Sequence, residues 1–181
     1  MKKSVLKAVL TTSALLVASG YTAMSQAHCF NGSTLGTAAK AADLYQVMCF
    51  NDGVNGNPTR LIAQPNLTAG GSGVMVTVAK PNFAPVTGSD TTNGAAITIA
   101  TCTGASLGTQ ASLSGAAGNY DILVQKASAT SDVTAKTYGM VFHCLNASGV
   151  ETGTTEVVGG NGTGLVPPAD AAGDIEFLIN Q

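Results

Sequence analysis

The chain has 181 residues, of which 45% are hydrophobic and only 10% charged, with 22 glycines and no tryptophan. A soluble domain usually carries about 25% charged residues, so the composition lacks the basic footprint of a nucleic-acid binder and is too apolar for a disordered chain. The length suits one domain.

The N-terminus reads as a secretory signal. Lys2, Lys3 and Lys7 form a basic start, the run 9–18 is apolar, and Ser25-Gln26-Ala27 sets small residues at the positions that precede cleavage. The expected organisation is a signal peptide over 1–27 and one β-sandwich domain over 28–181. The apolar run is shorter than the roughly 20 residues a membrane helix needs, and no later segment is long and apolar enough to span. Cleavage would leave Lys40, Arg60, Lys80, Lys126 and Lys136 against all ten acids, 5 − 10 = −5 in net charge. That balance disfavours nucleic acid and anionic membranes as partners. A bacterial periplasmic or extracellular location is expected.

From there the chain reads as strands and turns. Runs with β-branched or aromatic residues and a period of two fall at 43–50, 59–64, 74–80, 95–102, 120–126, 137–145, 150–155 and 174–179. Between them lie turn signals, among them Asn51-Asp52-Gly53, Pro65-Asn66, Gly70-Gly71-Ser72-Gly73 and Ser89-Asp90. Only 37–42 suggests a helical turn. About eight strands without intervening helices predict an all-β fold, an antiparallel β-sandwich or jelly roll.

Alternation sets the faces. Tyr138, Met140, Phe142 and Cys144 form one row, expected inward, with His143 on the opposite row. Tyr45, Val47 and Cys49 form the better core row of 43–50, because the other row contains Gln46. Cys102 shares a row with Ala96, Thr98 and Ala100, away from Ile97 and Ile99. Four cysteines in an exported chain read as two disulfides. Three connectivities are open; the preferred one joins Cys49 to Cys144 between the sheets and Cys29 to Cys102.

Candidate chemistry is sparse. There is no G-x-S-x-G motif, Gly71-Ser72-Gly73 reads as a loop rather than a nucleophile elbow, and the carboxylates are dispersed, so no catalytic residues are assigned and an enzyme is not expected. Asp52, Asn55 and Asn57 offer oxygen ligands in a glycine-containing loop of calcium-binding flavour, without the distal glutamate of an EF-hand. The same loop also reads as a plain hairpin connection between 43–50 and 59–64.

His28 carries the sharpest signal. Cleavage after Ala27 makes it the N-terminus, where its α-amine and imidazole can bind one metal ion together. With His143, the other histidine of 28–181, this resembles the histidine brace, the copper site of lytic polysaccharide monooxygenases and of some periplasmic copper carriers. Nitrogen ligands in a tetragonal set suit Cu(II). The resemblance implies a periplasmic copper-binding protein with His28 and His143 as ligands. A Cys29–Cys144 bridge would bring the two histidines together.

Further along, Gly118-Asn119-Tyr120-Asp121-Ile122-Leu123-Val124, then Tyr138-Gly139-Met140-Val141-Phe142, with Asp43-Leu44-Tyr45 upstream, form an ordered set of short motifs. This order resembles bacterial pre-peptidase C-terminal-type β-sandwiches, small jelly-roll modules of secreted enzymes. The resemblance implies a non-catalytic module with a role in binding or secretion. The sequence therefore leads to the expectation of a secreted sandwich with a binding or structural role, as a surface or filament subunit, with self-association or a protein or glycan partner. Copper, and less so calcium, are the cofactors to test.

Overall fold

The computed structural model describes residues 28–104, 106–128, 132–156 and 179–180. The expected signal segment 1–27 and positions 174–178 of the expected last strand lie outside them. The strands are β1 (His28–Leu35), β2 (Ala42–Phe50), β3 (Arg60–Ala69), β4 (Val74–Ala79), β5 (Val86–Asp90), β6 (Ala111–Ser114), β7 (Gly118–Lys126), β8 (Lys136–Leu145), β9 (Gly153–Glu156) and β10 (Ile179–Asn180). No helix among the described residues is long and apolar enough to cross a membrane.

Two antiparallel sheets face each other. One runs β1-β8-β3-β6; the other runs β10-β2-β7-β4-β5, with β9 also paired to β2. The pairing has a simple origin. β1 pairs with β8, β2 with β7, β3 with β6 and β4 with β5, the rungs of one long antiparallel ribbon. Rolling that ribbon brings β3 against β8 and β4 against β7. This is the jelly roll, which closes two sheets over one core.

The core follows the period of two. β2 buries Tyr45, Val47 and Cys49; β4 buries Val74, Val76 and Val78; β7 buries Tyr120, Ile122 and Val124. β8 supplies Tyr138, Met140, Phe142 and Cys144 from the opposite sheet, the row its alternation predicts. Full burial of each large apolar side chain contributes about 1.5–3 kcal/mol. Cys49 and Cys144 meet across this core with Cα atoms 5.6 Å apart and are bonded. Cys29 and Cys102 form the second disulfide, with a Cα separation of 5.5 Å.

The strand reading needs several corrections. The run 95–102 forms no strand; it contributes a Thr98–Thr103 bridge and turns. Its apolar residues cover the outer face of the first sheet instead, where Ile97 packs with Cys29, Cys102 and Val141. Ile97 and Cys102 thus share one cluster, contrary to the row assigned from alternation. The Asn31 side chain holds this segment like a strand partner: its Nδ2 donates to Ile97 O at 2.6 Å, and Ile97 N donates to its Oδ1 at 3.0 Å. Gly139 permits the close approach, since a Cβ there would meet Phe30 O at 2.5 Å and Asn31 Oδ1 at 2.6 Å.

The run 59–64 does not stop at Pro65-Asn66. β3 continues to Ala69 because β8 pairs along its whole length, Pro65 opposite Met140 and Asn66 opposite Gly139. Proline is tolerated there because β6 reaches only Ala63, so no neighbouring strand asks Pro65 for a donor. Ser89-Asp90 belongs to β5, and the buried Asp90 carboxylate accepts from Leu67 N at 2.8 Å and Thr92 N at 3.1 Å. The loop 51–59 does not close a hairpin: β2 and β3 lie in different sheets, so it crosses between them. At 37–42 a single turn, with Ala41 N donating to Ala38 O at 3.0 Å, leads directly into β2.

Candidate functional site

His28 opens β1 directly opposite Phe142 of β8, and its ring stacks on the Phe142 ring with centroids 5.7 Å apart. Direct antiparallel partners put their side chains on the same face, here the inward one. His143 is the next residue of β8, so its ring lies on the outward face, opposite Ile62 of β3. The two rings therefore lie on opposite faces of the first sheet, and the Cys29–Cys144 bridge that would join them is not formed.

Glu151 completes this corner. Asn146 Oδ1 accepts from Ser148 N at 2.9 Å and Val150 N at 3.0 Å, turning the chain back after β8. A Leu145–Glu151 bridge then fixes Glu151 beside the strand end. Its Oε1 lies 3.7 Å from His143 Nδ1, with side-chain exposures of 24% and 15%. Nδ1 is buried and makes no hydrogen bond. Burial lowers the His143 pKa below its usual value; the Glu151 charge opposes that shift and the His28 charge adds to it. Sequence reasoning missed Glu151, and the only local signal for it was the Asn146-Ala147-Ser148-Gly149 turn that reverses the chain.

The 51–57 loop spends its oxygens on itself. Asp52 Oδ1 accepts from Val54 N at 2.9 Å and Asn55 N at 2.7 Å, and Oδ2 accepts from Asn55 Nδ2 at 2.9 Å. Asn57 Oδ1 accepts from Asn51 Nδ2 at 3.0 Å. The bonds that Asp52 accepts, that from Asn55 N foremost, lower its pKa. Asp52, Asn55 and Asn57 are thus neighbours held in a turn. Among the described residues no three His, Cys, Asp or Glu side chains are grouped so as to hold a metal ion.

A third polar cluster joins the Gly70–Gly73 loop to the start of β8. Lys136 is fully buried, and its Nζ donates to Gly70 O, to Ser72 Oγ at 2.7 Å and to Asp132 Oδ2 at 2.7 Å. Ser72 Oγ also donates to Asp132. The trio clamps two loops. Lys136 first, then Ser72 and Thr134 N, hold the Asp132 carboxyl far below the usual carboxylate range. A depressed acid stabilises the fold above its unfolded pKa of about 3.9 and loses that effect as pH falls. Thermal melts from pH 7 to pH 2.5 are expected to show a steeper acid loss for the native chain than for Asp132→Asn; equal slopes would remove the clamp from the account.

No family model matches the chain, and no curated protein and no solved structure matches it either. The fold and the sites define it as a jelly roll with two disulfides and a histidine–glutamate corner at one sheet end.

Proposed function

We propose that this is an exported, non-catalytic jelly-roll subunit with a structural or binding role, and that copies associate through the C-terminal strand. The observation that carries this reading is the outer edge of β2. β9 covers it from Val47 to Phe50, and β10 covers only Leu44 and Asp43. The two pieces run in one lane: continuing the β9 register would bring residue 159 opposite Leu44, and Ile179 stands there instead. Val47 and Leu44 are three positions apart, whereas 22 residues, 157–178, separate β9 from β10.

A chain of that length spans far more than this gap, at up to about 3.3 Å per residue. The same two-rung seat is therefore within reach of the C-terminus of a neighbouring copy. Closing the chain's own loop costs an entropy that grows slowly with length. Exchange of this kind is strand addition to an open edge. The signal-like N-terminus and the two disulfides support export.

Light scattering after size exclusion is expected to show concentration-dependent association of the full chain and its loss on deletion after Pro168. A strict monomer at high concentration, unchanged by that deletion, would overturn the assembly reading.

A further inference from the structure

We propose that Cys102 is a thiol-exchange site and that the Cys29–Cys102 disulfide is a reversible latch. An external dithiol cuts it at Cys102 and frees the segment around Ile97 from the outer face of the first sheet, while Cys49–Cys144 keeps the sandwich closed. The argument starts from what surrounds each bond. Cys49 and Cys144 lie in the main core, with 1% and 0% of their surface exposed. Cys29 and Cys102 belong to a small separate cluster with Ile97 and Val141. Cys29 is 1% exposed, and Cys102 is the least buried of the four at 8%. Exchange needs access to a sulfur, so it begins at Cys102.

Two features weaken the docked state. Cys102 ends a tight turn, with Thr98 bridged to Thr103, and it holds φ at +48°. That left-handed conformation is costly for a residue with this side chain. Beneath the segment, Asn66 is fully buried. Its Nδ2 donates to Ser106 O at 3.2 Å, while its Oδ1 has no hydrogen-bond partner. A buried acceptor without a donor costs stability, and water repays that cost when the site opens. Against release stand the paired bonds between Asn31 and Ile97, the bond from Gly94 N to Leu67 O at 2.9 Å, and the few apolar contacts of Ile97. The disulfide tips this balance, because it denies the segment the chain freedom it would gain on leaving.

The exchange is a two-electron step. A thiolate attacks Cys102 Sγ, the bond to Cys29 breaks, and Cys29 leaves as a thiolate that takes a proton from solvent. Ile99 O, 3.6 Å from Cys29 Sγ, is placed to accept the new thiol hydrogen. The second thiolate of the reagent then attacks its own sulfur in the mixed disulfide. Cys102 is freed and protonated, and the dithiol is oxidised to a disulfide.

The test is graded reduction of the folded, disulfide-intact protein with dithiothreitol, without denaturant. Free thiols are trapped by alkylation and mapped, and backbone hydrogen exchange is followed in parallel. Cys29 and Cys102 should be alkylated while Cys49 and Cys144 stay joined. The Ile97 and Gly94 amides should lose protection at the same reagent concentration, with β2 and β7 unchanged, and reoxidation should restore it. A short pulse of the monothiol glutathione should leave its adduct on Cys102. If both disulfides are reduced together, or Cys49–Cys144 first, there is no selective latch. If Cys29–Cys102 is cut and Ile97 and Gly94 keep their protection, the bond does not hold the segment down, and the proposal is equally overturned. An adduct on Cys29 would overturn Cys102 as the point of attack.

Discussion

Replacing Cys49 and Cys144 together with alanine is expected to lower the unfolding free energy by about 4–5 kcal/mol, from the loop-closure entropy restored to the unfolded chain. The bond spans a sequence separation of 95 residues, and the Cys29–Cys102 bond spans 73. Closure entropy depends only on the logarithm of that number, so chain entropy alone predicts nearly the same loss for both. What each bond fastens makes them differ. Cys49 and Cys144 sit in the main core and tie β2 of one sheet to β8 of the other. Nothing smaller than the sandwich can open to relieve their loss. Cys29 and Cys102 sit in the separate cluster with Ile97 and Val141, where the first strand meets the 94–107 segment. Without that bond the segment can leave the sheet while the sandwich persists. The loss is then capped by the free energy that docks the segment.

Urea unfolding distinguishes the two cases. Cys49→Ala with Cys144→Ala should lower the midpoint and raise the m-value, because the uncrosslinked unfolded chain exposes more surface, with a Tm lower by about 10–15 °C. Cys29→Ala with Cys102→Ala should lose less stability and show a smaller m-value, because its native state already exposes surface. Equal losses with equal m-values would mean that the 94–107 segment unfolds only with the whole domain.

The faces that carry Cys49 and Cys144 were legible in the sequence because burial on one side of a strand leaves a period of two. The rows of Tyr138 to Cys144 and Tyr45 to Cys49 were read correctly for that reason, and the Cys49–Cys144 pairing followed from them; the Cys29–Cys102 pairing is formed too, although Cys102 does not lie on the row assigned to it. Features set by distant partners were not legible. β1 hides its pattern behind a register shift between Phe30 and Ser33, at Asn31-Gly32, where Gly32 takes φ +82°. β5 contains Gly88, which looks like a break but admits a crossing chain: a Cβ there would lie 2.2 Å from Thr109 O. The alternation in 95–102 is real, yet it serves to cover a sheet face. At the histidine corner the sequence supplied both rings, but not the β1–β8 register that puts them on opposite faces of one sheet, nor the turn that returns Glu151. The calcium-like spacing of Asp52, Asn55 and Asn57 reads the same in sequence whether its oxygens face a cation or their own backbone.

The second large effect is expected from Tyr138→Phe, which should cost about 3 kcal/mol, the usual penalty for stripping a buried charged group of a hydrogen-bond donor. Asp43 is fully buried at the edge of the second sheet, and Tyr138 OH donates to its Oδ2 at 2.5 Å. That bond uses the only hydroxyl hydrogen of Tyr138. The 2.5 Å contact between the two phenol oxygens therefore has Tyr45 as donor and Tyr138 as acceptor. The chain Tyr45 to Tyr138 to Asp43 runs from β2 to β8 and back to β2, linking the two sheets near the β2 end that pairs with β10. Burial above all, then the neighbouring Tyr45 and Asp43, pushes the Tyr138 phenol far above its usual range. An alkaline absorbance titration should accordingly show Tyr138 ionising only when the protein unfolds. Phenylalanine keeps the ring and its packing, so the loss isolates the hydroxyl. Tyr45→Phe removes a donor to a neutral oxygen and should cost about 1 kcal/mol. In a double-mutant cycle the two changes should be non-additive, since Tyr45 donates to the very oxygen that Tyr138→Phe removes. Strict additivity would mean that the three groups do not act as one chain, and that Asp43 is held in the core by its strand neighbours instead.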